Sequence, residues 1–572
     1  MANQTLHRDQ IFSLTHWRIS PLLVLLVALA ACVLLLMMPM RLPVGPMYWD
    51  AYLYYDAANR ITTGQMPSVD FFTPVGPLGY YLFATLNSLF TNAQPTLITH
   101  WALLLVSAPL MALVIRDVDQ RSRTIAFALL MPFLVFVLLP FNTREFYPYP
   151  GSDAFGIYNR QVCQMLYVLV AALLFIKNGR LLIAVTCLSM IALFTLKITG
   201  FVAGGMICFY AFLAGRVSFR QAIAIFAGFI IVLAGLELAT GIVSSYVADI
   251  QQLLEMNSGT IAPRFLQASS LNFGIVSASA ALIGLLAWNS AFRIKGAGLA
   301  WISAFLDQDW LWIGVVLFAG IFFETQNTGS QALIFLWPAL VWMLSQRMVL
   351  LARPFLFGAI AVLTLAIMLP PMEQVIEKAG RAYIGSMKNV PLENRNLKTL
   401  GAMNMRPEIA SRSEHMAGFY PAHRALYEDM IPVDVLPTPL LFSDYDFQVL
   451  YLRSIDEAID QIHRWESERK IRFETIMSLN FVNPFPYLMD RQAPHYIAIG
   501  ADPLRSVPPT GSEEESAVAA TDLALMPTCP PTTANALLYK MYEPALAQHR
   551  RIKLTECYDA FVHPKFAAAV NP

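Results

Sequence analysis

Between Tyr48 and Tyr81 the chain reads YWDAYLYYDAANRITTGQMPSVDFFTPVGPLGYY, which gathers Asp50, Asp56, Arg60 and Asp70 into one short stretch. Asp50 lies about ten residues beyond an apolar run that starts at Pro21. Helical spacing from Asp50 puts Tyr54, Ala57 and Ile61 on one side, so Asp50 can be held at the start of a helix lying along a membrane. A carboxylate there can act as a general base or orient a hydroxyl, and both roles need it close to the reacting oxygen and partly desolvated. Arg60 supplies an always-charged fork suited to phosphate. Asp70 sits in DFFTPVGPL, where Pro and Gly impose a turn. The competing reading is that these charges only solvate a helix at the membrane surface. That alternative weighs more on Asp56 and Asp70 than on Asp50.

Further chemistry-capable side chains fall at the ends of other apolar runs. Asp153, Tyr158, Asn159 and Arg160 stand in GSDAFGIYNRQ, and Lys197 stands in LFTLKITG between two closely spaced apolar runs. An ionisable residue at such a depth is costly and marks function by default, the alternative being a cation snorkelling to headgroups. Arg160 and Lys197 are the preferred phosphate ligands beside Arg60, with Arg144 and Arg264 behind them. Glu324 and Gln326 open ETQNTGSQ, whose amide, hydroxyl and carboxylate groups suit sugar hydroxyls or an ordinary polar turn. Asp50, Asp153 and Glu324 could hold a divalent metal, although no spacing demands one, and no other cofactor is implied.

These residues need a scaffold, and composition names its type. Of 572 residues 56% are hydrophobic and only 14% charged, so membrane spans are expected. Lys plus Arg and Asp plus Glu both number 39, a zero net charge that argues against nucleic acid as partner. The run from Pro21 to about Met40 is long enough to cross a core of about 30 Å and reads as a retained span, not a cleaved signal. Further runs lie near 98–115, 124–141, 159–176, 181–196, 198–215, 220–242, 272–291, 309–324, 330–346 and 354–371, giving about eleven. Pro77–Phe90 is too short and reads as interfacial. With a cytoplasmic N-terminus, 13 of the 19 Lys and Arg before residue 372 then fall in inside loops, as basic residues should. Counting Pro77–Phe90 as a span would invert that pattern.

An odd span number puts the residues after about 372 outside. The expected organisation is a membrane domain over 1–371, with a first external loop at 41–97, and an extracytoplasmic α/β domain over 372–572. In the tail, Thr438–Phe442, Ile471–Met477, His495–Ile499, Asp522–Met526 and Ile552–Phe561 read as strands. Ile455–Glu468 and Ala534–His549 read as helices, and Ser506–Ala517 as a solvated loop. No phosphate-cradling glycine loop is present, so this domain is expected to cover or shape the membrane site. Cys529 and Cys557 can pair if it is extracytoplasmic, or remain free thiols. Cys32, Cys163, Cys187 and Cys208 read as buried hydrophobes.

The first external stretch resembles the GT-C class of membrane glycosyltransferases, in particular the protein O-mannosyltransferase and lipid A aminoarabinose transferase branch. The features that carry the resemblance are Asp50, the Tyr54–Ala58 helix with Gly64 and Pro67, and Pro74–Gly76–Pro77–Leu78, within residues 20–90. The resemblance implies a polyprenyl-phosphate sugar donor, a glycan, lipid or protein acceptor attacking through a hydroxyl, and Asp50 as the catalytic carboxylate. It further implies an external active site, which the charge count reaches independently. One departure stands out. That branch often has a Lys before its paired prolines to contact donor phosphate, and this chain has Val75–Gly76–Pro77 there.

Two other classes compete. A transporter would place ionisable residues near the bilayer midplane and show repeated halves, and neither is visible. A polymerase or ligase of lipid-linked polysaccharide should carry a large Arg-rich late loop, whereas 243–271 holds only Arg264. The expectation is therefore a multi-pass glycosyltransferase among the lipids of a bacterial plasma membrane, its C-terminal domain periplasmic.

Overall fold

Apolar runs without charges fold as helices because a bilayer core offers the backbone no other hydrogen-bond partner. In the structure, a computed structural model that describes residues 19–143, 151–257, 261–290, 299–325, 329–347 and 353–568, the expected apolar runs are largely helical, but 98–115 is broken at 102–103 and 330–346 becomes an α-helix only at Trp337, after a turn and a short tight helix at Ile334–Leu336. The first is α1 (Pro21–Met37), begun by a proline at its first position. Two shorter helices follow, α2 (Asp50–Thr62) and α3 (Leu78–Leu89). A helix pair bent by 45°, α4 (Pro95–Trp101) and α5 (Leu104–Asp119), returns through the bundle. Then come α6 (Arg123–Leu138), α7 (Ile157–Phe175), α8 (Gly179–Leu196), α9 (Ile198–Leu213) and α10 (Phe219–Thr240). After α11 (Ile242–Met256), α12 (Ile261–Leu271) and α13 (Phe273–Ser290) meet at 88°, and α14 (Leu299–Leu306), α15 (Asp309–Glu324), α16 (Trp337–Arg347) and α17 (Pro354–Ser386) complete the bundle.

Among the described residues four helices, α7, α8, α10 and α17, are long and apolar enough to cross a membrane alone, and the two bent pairs raise this to six. Several others have 16 or 17 residues, about 25 Å at 1.5 Å per residue. At 12 residues α3 spans only about 18 Å and cannot cross. By contrast, α17 runs 33 residues, about 50 Å, so it projects well past any bilayer core. The helix thus continues beyond the expected span end at residue 371 as far as Ser386.

The bundle has two chemically distinct ends. At one, Arg121 Nη2 donates to Phe175 O, Arg216 Nη1 to Leu174 O, and Lys177 N to Asp117 Oδ2. The basic loops therefore gather where their side chains satisfy helix C-terminal carbonyls. Asp50, Gly156, Lys197 and Glu324 lie at the other end, separated from the first by α7, whose 19 residues span about 28 Å.

Residues beyond α17 fold over the second end. Strand β1 (Leu42–Pro43) pairs in parallel with β3 (Met403–Met405), which pairs antiparallel with β2 (Val390–Pro391), so the exit of α1 is tied to the chain after α17. A second sheet, in the order β4-β5-β7-β6, joins β4 (Ile476–Ser478), β5 (Leu523–Pro527), β6 (Arg550–Lys553) and β7 (Tyr558–Val562). Helices Tyr445–Arg469 and Thr533–Leu546 flank it. Three tail expectations need correction. Thr438–Phe442 and His495–Ile499 are not strands, and Ile552–Phe561 is a two-strand hairpin turning at 554–557. His495–Ile499 instead runs along residues 70–72, with Tyr496 N donating to Asp70 O and Ile499 N to Phe72 O. Ser506–Ala517 also differs, because Ser512–Ala519 is helical. Cys529 and Cys557 form a disulfide, their Cα atoms 4.9 Å apart.

Candidate active site

Every residue of α2 from Asp50 to Arg60 is buried. The helix does not float on a membrane surface. It is clamped between α3 below and the C-terminal domain above. Tyr55 packs on Phe83 of α3 and on Tyr487 at centroid distances of 4.9 and 4.6 Å, and Asn59 Nδ2 donates to Arg491 O. Burial on both faces excludes simple solvation as the reason for its charges, since a charge kept for solvation would face water.

Asp50 opens α2, where the helix N-terminus favours a carboxylate. It is 7% exposed, and its Oδ2 accepts from Gly156 N at 2.8 Å. Gly156 has a φ of +61°, and a Cβ there would stand 2.7 Å from Gly329 O, so only glycine presents this N–H. Burial drives the Asp50 carboxyl up from 3.8 to about 7. The Gly156 N–H and Arg160 oppose that shift, and neighbouring Asp153 adds to it. A carboxylate so placed exchanges its proton near neutrality, as a general base should.

Asp50 lines a cleft of about 190 Å³ with Tyr80, Tyr158 and Lys197 on the bundle side, and with Arg264, Asp502 and Arg505 opposite. Lys197 stands at the break between α8 and α9, in extended conformation. Its Nζ donates to Asn159 Oδ1 at 2.7 Å and lies 5.2 Å from the Tyr158 ring and 5.5 Å from that of Phe323. Glu324 follows Phe323 and is buried. The Val75–Gly76–Pro77 element packs directly against this corner. Gly76 N donates to Leu196 O at 2.9 Å, and a Cβ on Gly76 would collide with the Thr195 carbonyl. Close backbone contact thus seats the Val75–Gly76–Pro77 turn beside Lys197.

Two predicted phosphate ligands turn out to be committed within the protein. Arg160, fully buried, donates through Nη2 to Asp153 Oδ1 (2.6 Å) and Phe155 O (2.8 Å), and through Nη1 to Asp153 O (3.1 Å). Asp153 also accepts from Phe155 N and Asn142 N. The pair therefore braces the loop that presents Gly156 N to Asp50, and neither member lines the cleft. Arg60 lies ten residues along α2 from Asp50, about 15 Å. It is spent on Asp56 Oδ1 (3.0 Å), Gln65 Oε1 (3.2 Å) and Pro494 O (2.8 Å), over the Phe71 ring. Asp70 holds a turn, accepting from Met66 N at 2.7 Å away from the cleft. Gln326 and Arg144 fall outside the described residues. The Asp50, Asp153 and Glu324 metal trio is not assembled, and no group of three metal-ligating side chains occurs among the described residues.

The sequence reading missed Thr199 and Tyr246, which line the cleft. Among the described residues the buried Thr199 Oγ1 finds no hydrogen-bond partner, a pattern that marks a site where a ligand or water completes the bonding, and the Tyr246 hydroxyl is buried within reach of the Ile198 backbone. Tyr246 also borders a second cavity of about 460 Å³, almost wholly apolar, between α3, α5, α8 and α10, with Leu105, Pro109, Leu188 and Leu236 in its walls. Its position, not its type, gives Tyr246 away: it stands at the junction of a polar and an apolar space.

No family model matches the sequence, and comparison with curated proteins finds no match. Among solved structures, the chain is similar to ArnT from Cupriavidus metallidurans in the apo state, with a TM-score of 0.43 and 11% identity over 96% of this chain and 98% of that one. The same protein bound to undecaprenyl phosphate gives 0.42 at 11% identity over 96% and 99%. Archaeal oligosaccharyltransferase AglB from Archaeoglobus fulgidus, in complex with an inhibitory peptide and a dolichol-phosphate, gives 0.30 at 11% identity over 96% and 75%. Likeness at this level leaves function to be read from the site.

Proposed function

We propose that this chain is an integral-membrane glycosyltransferase that moves a sugar from a polyprenyl-phosphate donor to an acceptor hydroxyl. The observation that carries the reading is the junction at Tyr246. There a polar cleft holding one near-neutral carboxylate and one buried ammonium abuts an apolar groove at the depth of the span ends. Such a pair of spaces suits an amphiphile with an anionic head, its chain in the groove and its phosphate at Lys197. The cleft is smaller than pockets that enclose whole drug-sized ligands, about 300–1,000 Å³, which fits a site for the headgroup alone.

In this mechanism the acceptor oxygen bonds to the anomeric carbon while the bond from that carbon to phosphate oxygen breaks. Asp50 takes the hydroxyl proton, and Lys197, with Thr199 and Tyr246 as hydroxyl donors, receives the charge that develops on phosphate. One displacement inverts the anomeric centre. Lys197, brought in by the Gly76 contact, takes the part of the Lys missing before Pro77. Arg160 and Arg60 serve as positioning residues. The Cys529–Cys557 disulfide supports an oxidising, extracytoplasmic setting for the C-terminal domain, in agreement with the charge count. The deciding experiment is transfer of labelled sugar from a polyprenyl-phosphate donor by purified protein in nanodiscs, comparing the native chain with Asp50→Asn. Equal transfer by both would remove Asp50 from the mechanism, and failure of the native chain to bind any polyprenyl phosphate would remove the donor.

A further inference from the structure

On the side of α2 away from the Asp50 cleft lies a far larger cavity, about 1,310 Å³, that the reaction does not use. Its walls come from three places: the exit of α1 at Pro39–Arg41, the end of α3 and its turn at 87–92, and residues 391–402 with Tyr487 of the C-terminal domain. We propose that this groove is a carbohydrate-binding site, one that holds several sugar residues of an oligosaccharide.

The lining has the chemistry that sugars need. Asn87, Thr91 and Asn92 line it with side-chain amide and hydroxyl groups of both donor and acceptor capacity, exposed to solvent at Thr91 and Asn92. The half-buried Tyr487, whose ring is packed by Tyr55 and Lys398, adds a fixed aromatic wall. Ion charge inside the groove is low. Lys398 is held by Asp490 Oδ1 at 2.6 Å and by Tyr487 O at 2.8 Å, above the Tyr487 ring, which leaves Arg41 and Glu393 as charges of opposite sign at its edge. A strongly anionic or cationic ligand would find no matching field here, whereas a neutral polyol would.

The groove is also preformed. Lys398 adopts a φ of +48°, rare for a residue with a side chain. Gly401 packs so tightly on the Asn394 amide that a Cβ could not fit, and Asn394 Nδ2 is fixed on Leu392 O and Gly401 O. Backbone held in a sparsely populated region persists where its surroundings over-determine it, commonly at binding sites. The strained turn is fastened to the catalytic helix, Tyr48 Oη donating to Leu400 O at 3.0 Å and the Tyr55 hydroxyl meeting Thr399 Oγ1 at 3.3 Å. A glycan lodged there is thus indexed to the helix that carries Asp50. Its role as the distal part of an acceptor rests on the transferase reading above, but its chemical class does not.

The test measures binding and not transfer. Full-length protein in nanodiscs is titrated with cellotetraose and with the same tetrasaccharide on a dodecyl chain, observed by saturation-transfer NMR. The free sugar reports a soluble glycan site, and a preference of tenfold or more for the lipid-linked form reports a glycolipid headgroup site. Either supports the proposal if Asn87→Ala/Asn92→Ala weakens it at least fivefold and Thr91→Trp abolishes it, while polyprenyl-phosphate binding is unchanged. No binding of either probe at millimolar concentration, or equal binding in both variants, overturns the groove and leaves the Asp50 assignment standing.

Discussion

Replacing Asp50 by Asn should separate activity from stability in opposite directions, and only at one end of the pH range. The native carboxyl titrates near 7 because burial penalises its charge. In the unfolded chain it titrates near 3.8. Between those values the folded state keeps a proton that the unfolded state releases, so stability falls as pH rises from about 4 to 7. A shift of about 3 units at 1.36 kcal/mol each gives a penalty of up to about 4 kcal/mol, complete above pH 7 and absent below pH 4. Asn is neutral and can still accept from Gly156 N. The variant should therefore melt higher than the native protein at pH 8 and about equally at pH 3.5. As the lost general base, it should transfer about 10²- to 10⁴-fold more slowly. In the native enzyme, kcat/KM at subsaturating acceptor should rise about tenfold between pH 6 and 8, because the ionised fraction grows from about one-eleventh to ten-elevenths at a pKa near 7. The assays are scanning fluorimetry in nanodiscs across pH and labelled-sugar transfer. A flat pH profile with a pH-independent melting difference would refute the burial argument, since an exposed carboxylate gives both.

Other perturbations discriminate the remaining roles. Lys197→Gln should raise the donor KM roughly tenfold or more while leaving the melting temperature nearly unchanged, as expected for a charged contact of about 1.5–3 kcal/mol made to ligand. A drop in melting temperature without a change in KM would assign Lys197 to packing. Arg160→Ala should behave differently, destabilising the fold by about 3–5 kcal/mol because Asp153 is left buried and unpaired. Denaturant or thermal unfolding reads this directly, and an intact fold with weakened donor binding would restore Arg160 as a phosphate ligand. Removing the disulfide by Cys529→Ala/Cys557→Ala should cost roughly 3–4 kcal/mol of domain stability for a closed loop of 28 residues. Proteolysis of the C-terminal domain with and without reductant measures it.

Local pattern was enough for part of this molecule. The helical nature of most apolar runs, the exclusion of Pro77–Phe90 as a span, and the placing of Asp50 and Lys197 at helix ends all rest on length, charge and position relative to a span end, properties that a bilayer reads residue by residue. The roles of the arginines were not legible in this way. Arg60 and Arg160 look like free forks in the sequence, yet their acceptors include Pro494 O, 434 residues away, and a loop carbonyl and carboxylate that only the folded 151–156 turn presents. Two of the tail strands, Thr438–Phe442 and His495–Ile499, failed for the same reason, because a short apolar run becomes a strand only where a partner edge exists. His495–Ile499 found residues 70–72 instead of a sheet. Asp50 itself shows the division most clearly. Its place after the first span is written in the sequence, but its ionisation near neutrality depends on Gly156, 106 residues away, and on a C-terminal domain folded over α2. Burial is a property of the assembled layers, and no local spacing encodes it.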